Sequence, residues 1–304
     1  MPLPMMAYAH VDVFATRPYT GNSLAVFVDP PQLDTEQMMS ITQELRHFET
    51  IFVRTTDEQD VVRAKVFDLV DELDFAGHPL LGAAAVLHEN ASIELGEERA
   101  WTFVLNTKTV HVTTCNDAEG HVRAVLDQGR PQFVRPSSDL DMAAEAIAAA
   151  LGLDADDLDD KLPLEIISTG LRYLVVPVRD QDALARARIV HPYFGGFLHG
   201  FGAQFVYVLD AHAPEGRHWN NDGVLEDVAT GSAAGCVAAY LLRHGLARDG
   251  QEIRLAQGRH TGRPSSIAIT AHGDPDEPQR VTVGGGVCLV GTGLLHAMPP
   301  GELW

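Results

Sequence analysis

Short runs in which apolar and polar residues alternate recur along the chain, and that period of two predicts half-buried strands. AYAHVDVF (Ala7 to Phe14) is the first such run. It leads through the turn-rich RPYTGNS (Arg17 to Ser23) into the apolar LAVFVD, a strand, loop, strand unit. Helical spacing then covers Thr35 to Leu45, and ETIFV (Glu49 to Val53) and VVRAKVF (Val61 to Phe67) resume strand character. Glu49 therefore stands where a helix hands over to a strand. ERAWTFVL (Glu98 to Leu105), VHVTT (Val110 to Thr114) and HVRAVLD (His121 to Asp127) are further strands. The second half opens with the helix MAAEAIAAALG, stopped by Gly152, and continues through EIISTGLRYLVVPV, FVYVLD, SIAIT and RVTVGG.

Two segments break this rhythm: DELDFAGHPLLGAAAVL (Asp71 to Leu87) and LEDVATGSAAGCVAAYLL (Leu225 to Leu242). Each places an acid and a small polar turn before a run of Gly and Ala. When Asp74 is set against Asp227, Ala76 meets Ala229, Gly82 meets Gly235 and Ala85 meets Ala238, an offset of about half the chain. AAAVL after Gly82 and AAGCVAAYLL after Ser232 are small or apolar on nearly every face, so neither helix has a solvent side. Side chains this small let a curved sheet close around a helix with few voids. The fold expected is α+β, with two pseudo-symmetric lobes. Each is a strongly curved, mostly antiparallel sheet wrapped around a central small-residue helix. GRPQFVRPSSD (Gly129 to Asp139) reads as the linker. That gives lobes of residues 1–130 and 131–286, with a C-terminal strand over about 287–304 completing the first.

With 304 residues, 45% of them hydrophobic, the chain can bury two cores and is expected to be folded and soluble. It has no apolar stretch of the roughly eighteen residues that a membrane span needs. MPLPMMAYAHVDVF lacks the basic region and cleavage site of a signal peptide, so a cytoplasmic location is expected. With no such apolar stretch no membrane partner is expected, and a net charge of −20, from 42 acids and 22 bases, disfavours nucleic acid. DADDLDD (Asp154 to Asp160) reads as a solvated turn without chemistry. Cys115, Cys236 and Cys288 lack paired spacing and read as buried thiols. The 14 histidines show no HExxH pattern, and no metal is expected.

Candidate chemistry gathers at the two helix starts. Thr230, Gly231 and Ser232 open the second helix, where backbone N–H groups lack partners and the dipole favours a carboxylate. In the first copy His78 is expected at the N-cap and Pro79 at the first helical position, the two starts facing each other across a cleft. Each residue also has a plain structural reading. Thr230 and Ser232 suit helix caps, Asp74 and Asp227 suit turns, His78 suits a core, and Glu49 suits a surface.

The segments DELDFAGHPLLGAA and EDVATGSAAG, with VDVFATRPYTGNSLAVF, FETIFV and QGRHTGRPS (Gln257 to Ser265), resemble the phenazine-biosynthesis PhzF-like family from residue 8 to about residue 292. The resemblance implies the diaminopimelate-epimerase-like fold and a homodimer. It also implies proton transfer within a small-molecule substrate, without metal or organic cofactor. Glu49 matches the family's catalytic glutamate, which takes a proton from one carbon and returns one to another. His78 and Asp227 match its partners. Gly231 and Ser232 match residues that receive polar groups of the substrate, and Gly77, Thr230, Asn22 and Phe48 complete the implied binding set.

Some positions depart from relatives. Amino-acid epimerases of this fold use two cysteines, but here the corresponding places carry His78 or its neighbours and Thr230, while Cys236 lies deeper in its helix and is expected in the core. Phe48 stands where the reference phenazine enzyme has a serine, and Ser23 replaces a frequent proline. The leading expectation is an isomerase acting on a carboxylated, amino-bearing unsaturated ring resembling trans-2,3-dihydro-3-hydroxyanthranilate. The second is a double-bond isomerase or epimerase of another secondary-metabolite precursor, which Phe48 favours slightly. The third is a catalytically silent small-molecule-binding protein.

Overall fold

The computed structural model describes residues 5–117 and 120–301. It is an α+β structure that divides into two units, residues 1–127 with 284–304, and residues 128–283.

The first unit contains β1 (Met6–Val13), β2 (Asn22–Val28), α1 (Thr35–Leu45), β3 (Glu49–Thr55), β4 (Val61–Phe67), β5 (Glu72–Leu73) and α2 (Gly77–Asn90). It continues through β6 (Arg99–Val104), β7 (Thr109–Asn116) and β8 (Val122–Gly129), and takes in the latter part of the last strand, β16 (Glu277–Leu295). The strand order β1-β2-β3-β4-β6-β7-β8-β16 closes on itself. β16 pairs back onto β1, from Met6 with Leu295 to Val13 with Val287, with one register shift at His10/Val11. The result is an eight-stranded barrel. Its β2–β3 and β4–β6 pairs are parallel, and β1–β2, β3–β4, β6–β7 and β7–β8 are antiparallel.

Inside it lies α2, buried at every residue from His78 to His88. Gly82 lets the strands approach, because a Cβ there would meet the side chains of Leu24, Val13 and Val11. Leu24 thus faces the barrel interior, and its parallel partner in β3 is Glu49. The alternate residues Ala25, Phe27 and Phe52 face outward, where α1 packs on them through Ile41. A capping box sets the start of α1: Gln37 N donates to Asp34 Oδ1 (2.8 Å) and Asp34 N donates to Gln37 Oε1 (3.1 Å). Arg46, at φ 55°, ends it and turns the chain into β3.

The second unit contains β9 (Gln132–Val134), α3 (Leu140–Ala150), β10 (Glu165–Ser168), β11 (Arg172–Pro177), α4 (Gln181–Arg186), α5 (Phe194–His199) and β12 (Phe205–Asp210). These are followed by β13 (Glu215–Arg217), α6 (Gly231–Arg243), β14 (Ile253–Gln257), β15 (Ser265–Asp274) and the start of β16. Its strands run in order from β9 to β16. From β10 to β15 the pairs alternate antiparallel, parallel, antiparallel, parallel, antiparallel, the sequence seen from β1 to β7. Among the described residues no pairing returns β9 to β16, so this sheet stays open. Its helix α6 packs on β15, β10 and β11, and its residues from Ala233 to Leu242 are buried. On the sheet's other side α3, α4 and α5 form a core with Leu174, Val176, Val206 and Val208.

Four expectations need correction. Ala76, not His78, is the N-cap of α2, because the chain stays extended there (φ −144°, ψ 133°), so His78 and Pro79 are the second and third helical residues. The 129–139 segment is not only a linker, since Gln132–Val134 pairs with β10. The acidic run is a turn that is only partly solvated, Asp154, Asp156 and Asp160 being exposed. Asp157 is buried and bonds Arg186 (2.6 Å), with Arg179 at 3.3 Å, and the carboxylate of Asp159 meets His212 at 2.8 Å. Of the three cysteines only Cys236 is fully buried, Cys115 and Cys288 being half-buried.

Candidate active site

In the first unit the register of β2 against β3 turns the Glu49 side chain inward beside the start of α2. Glu49 is 8% exposed and His78 is 7% exposed, and His78 Nδ1 lies 3.6 Å from Glu49 Oε2. Burial pushes the imidazole down to about 3, so His78 is neutral near pH 7 and the contact is not an ion pair. His78 Nε2 is buried with no hydrogen-bond partner among the described residues. Asn22 is buried at the start of β2 opposite Val13, and Phe48, next to Glu49, is half exposed. Gly77 is the first residue of α2, which has no side-chain cap. Ser23 Oγ sits between His10 Nε2 (2.9 Å) and His47 Nδ1 (2.8 Å), tying the turn before Glu49 to β1 and β2.

In the second unit the turn before α6 is held by a small set of buried polar groups. Asp227 Oδ2 accepts from Thr230 Oγ1 (2.7 Å), and Asp227 N donates to His218 O (2.9 Å). Gln257, 1% exposed, closes the turn from β14. Its Nε2 donates to Asp227 O and to Thr230 Oγ1 (both 2.9 Å), and its Oε1 accepts from Thr230 N (3.1 Å) and Tyr207 Oη (3.0 Å). The Thr230 hydroxyl is thereby engaged by Asp227 and Gln257 and does not cap the helix. Intrahelical bonding begins only with Ala234 N to Thr230 O. The N–H groups of Gly231, Ser232 and Ala233 have no acceptor among the described residues. Ser232 Oγ is bonded to Tyr173 Oη at 2.7 Å. Such a helix start suits a carboxylate.

Cys236 lies in the core as expected, its thiol pushed up to about 12 by burial and therefore not a thiolate. Among the described residues no group of three or more His, Cys, Asp or Glu could hold a metal ion, and no helix is long and apolar enough to cross a membrane.

The geometry thus brings Glu49 and His78 together in one unit, and Asp227, Thr230, Gly231 and Ser232 in the other. Sequence reasoning missed Gln257, Tyr173, Tyr207 and His218. Gln257 had a signal, standing in the QGRHTGRPS motif just before Gly258, whose φ of 78° marks a turn. The others lie in or beside strands and carried none.

A family model described as phenazine biosynthesis-like protein, PhzC-PhzF, matches residues 11–293. The chain belongs to this family. One relative, named trans-2,3-dihydro-3-hydroxyanthranilate isomerase, from Pseudomonas chlororaphis, is 32% identical over 96% of this chain and 99% of its own length. The solved structure of a Pseudomonas aeruginosa protein named as a predicted epimerase is 44% identical, with a TM-score of 0.84 over 95% of this chain and 99% of that one. A probable proline racemase from Agrobacterium radiobacter shares the fold at 13% identity, with a TM-score of 0.60 over 98% of this chain and 94% of that one. Membership of the PhzC-PhzF family places the chain among isomerases.

Proposed function

We propose that the protein is an isomerase that moves a proton within a small, carboxylated, amino-bearing unsaturated ring of the trans-2,3-dihydro-3-hydroxyanthranilate kind. Glu49 takes a proton from one carbon, the double bond shifts, and the protonated carboxyl returns a proton to another carbon. His78 stands beside it as a neutral imidazole. Asp227 and the open start of α6 hold the amino and carboxylate groups. The proton leaves a carbon next to an unsaturated centre, so the reading calls for no metal or organic cofactor. It includes a homodimer in the cytoplasm and takes the repeated strand pattern as two pseudo-symmetric lobes. The observation that carries it is the buried Glu49 carboxyl 3.6 Å from an imidazole that burial keeps uncharged, so His78 does not hold the base in an ion pair.

The test is proton NMR of trans-2,3-dihydro-3-hydroxyanthranilate in deuterated buffer, with wild type and with Glu49→Gln. Wild type alone should consume the compound and leave solvent deuterium in the product. A fully active Glu49→Gln would sink the mechanism. No turnover by folded wild type would remove this substrate and leave a second reading, a double-bond isomerase or epimerase of another secondary-metabolite precursor. Phe48 favours that alternative, because it puts a half-exposed apolar ring next to Glu49.

A further inference from the structure

His218 is an imidazole only 6% exposed to which the proton transfer above gives no role. It directly follows β13 and opposes Asp227. Trp219 bridges Glu226 antiparallel, framed by the bonds Asp227 N to His218 O and Asn220 N to Leu225 O, both 2.9 Å. His218 and Asp227 are therefore the next opposed pair of this ladder. Opposed residues project to the same face with Cβ atoms about 4.5–5.5 Å apart.

The ring is oriented by what surrounds it. Its Nδ1 lies 2.8 Å from the Val206 carbonyl oxygen, which can only accept, so Nδ1 carries the proton and Nε2 is left with a lone pair. The rings of Tyr173 and Phe205 meet it edge-on, each at 5.6 Å. Nε2 has no hydrogen-bond partner among the described residues. Burial pulls the imidazole below its ordinary value and outweighs the opposite pull of Asp227. The nearby phenols of Tyr173 and Tyr207 are pushed upward by burial and stay neutral.

One face of the ladder thus presents a carboxylate and a neutral imidazole nitrogen, both acceptors. A group that bridges them must donate twice. A primary ammonium does so, whereas a hydroxyl has one hydrogen to give. We propose that His218 is a specificity-determining residue that acts with Asp227 to select a substrate bearing a primary amino group over its hydroxyl counterpart. This rests on the reading above in one respect, that the segment from Asp227 to Ser232 receives the substrate.

Two unreactive ring carboxylates isolate the effect: trans-2-aminocyclohexanecarboxylate and trans-2-hydroxycyclohexanecarboxylate. Their dissociation constants are measured by calorimetry for wild type and for His218→Phe, which keeps an aromatic ring beside Tyr173 and Phe205. Wild type should bind the amino compound about tenfold or more tightly, as loss of a hydrogen bond to a charged group implies. His218→Phe should bind the hydroxy compound as wild type does, with the preference reduced to about threefold or less. A purely structural role would weaken both compounds equally. Nitrogen-15 NMR of the wild type needs no substitution: the Nε2 resonance of His218 should sit at its unprotonated position and move when the amino compound is added, but not the hydroxy one. Equal binding of the two compounds by wild type, an unchanged preference in His218→Phe, or an Nε2 resonance indifferent to the amino compound would overturn the inference alone. Binding of neither compound would overturn the reading of the 227–232 segment and the inference with it.

Discussion

His78 Nδ1 lies 3.6 Å from Glu49 Oε2, and both side chains are buried. The pair joins the second residue of α2 to the first of β3. Because burial holds His78 at about 3, the ring is uncharged wherever Glu49 can act as a base near neutral pH.

That depression makes stability depend on pH. As pH falls below the ordinary histidine value of about 6.5, the unfolded chain takes up a proton that the folded chain refuses until about pH 3. The contribution of His78 to stability is complete above that window. It is lost on acidification at about 1.4 kcal/mol per pH unit. Urea unfolding near pH 7 and near pH 4.5 should show His78→Asn losing less stability than wild type across that interval. Equal losses would count against a buried neutral imidazole.

Gln257 satisfies Thr230 N and Tyr207 Oη at once and holds the Asp227 carbonyl. Gln257→Leu keeps the bulk but strands those groups. It should lower stability by about 2 kcal/mol or more, since each unsatisfied buried group costs about 1–3 kcal/mol. Thermal unfolding checks the stability, and calorimetry with a ring carboxylate checks the accompanying loss of binding at the α6 start.

Arg217 donates to Glu226 twice (2.9 and 2.7 Å) and to the carbonyls of Leu184, Ala185 and Ala187 (3.0, 3.0 and 2.9 Å). It fixes Glu226, the residue before Asp227. An ammonium cannot reproduce this fork, so Arg217→Lys should cost about 3 kcal/mol, the scale of breaking a buried pair. Denaturant unfolding would show it, and a change within about 0.5 kcal/mol, the range of ordinary surface substitutions, would contradict it.

Gly82→Ala tests how tightly the barrel closes on α2. The added methyl would meet the Leu24, Val13 and Val11 side chains. Overpacking costs about 1–3 kcal/mol and the gain in helix propensity returns about 1 kcal/mol. A net loss of about 1 kcal/mol is expected in denaturant unfolding, and a more stable variant would show that the interior has room.

Much of the architecture was legible from local pattern. The helix expected over Thr35 to Leu45 is α1 as found, and Glu49 opens β3 as its place after that helix implied. The all-apolar α2 and α6 read as buried because neither has a polar face, and the structure buries both. Local pattern failed where a polar residue's partner is remote in sequence. DADDLDD looked solvated because Arg179 and Arg186, which engage Asp157, lie on other elements. Likewise, His78 looked like a cap because Pro79 suits a first helical position, whereas the helix begins two residues earlier, at Gly77 after the extended Ala76.

The sequence by itself determined many of the strands and helices, which two helices have no solvent face, and which short motifs mark the family. Periodicity and side-chain size act between near neighbours, so they can be read along the chain. Only the tertiary structure decided that the first sheet closes through the pairing of β1 with β16, that Glu49 faces His78, and that Gln257 and His218 hold or face Asp227. Those relationships depend on strand register and closure. A shift of one residue would turn Glu49 from the inside of the barrel to its outside, and no local pattern specifies the partner strand against which that register is set.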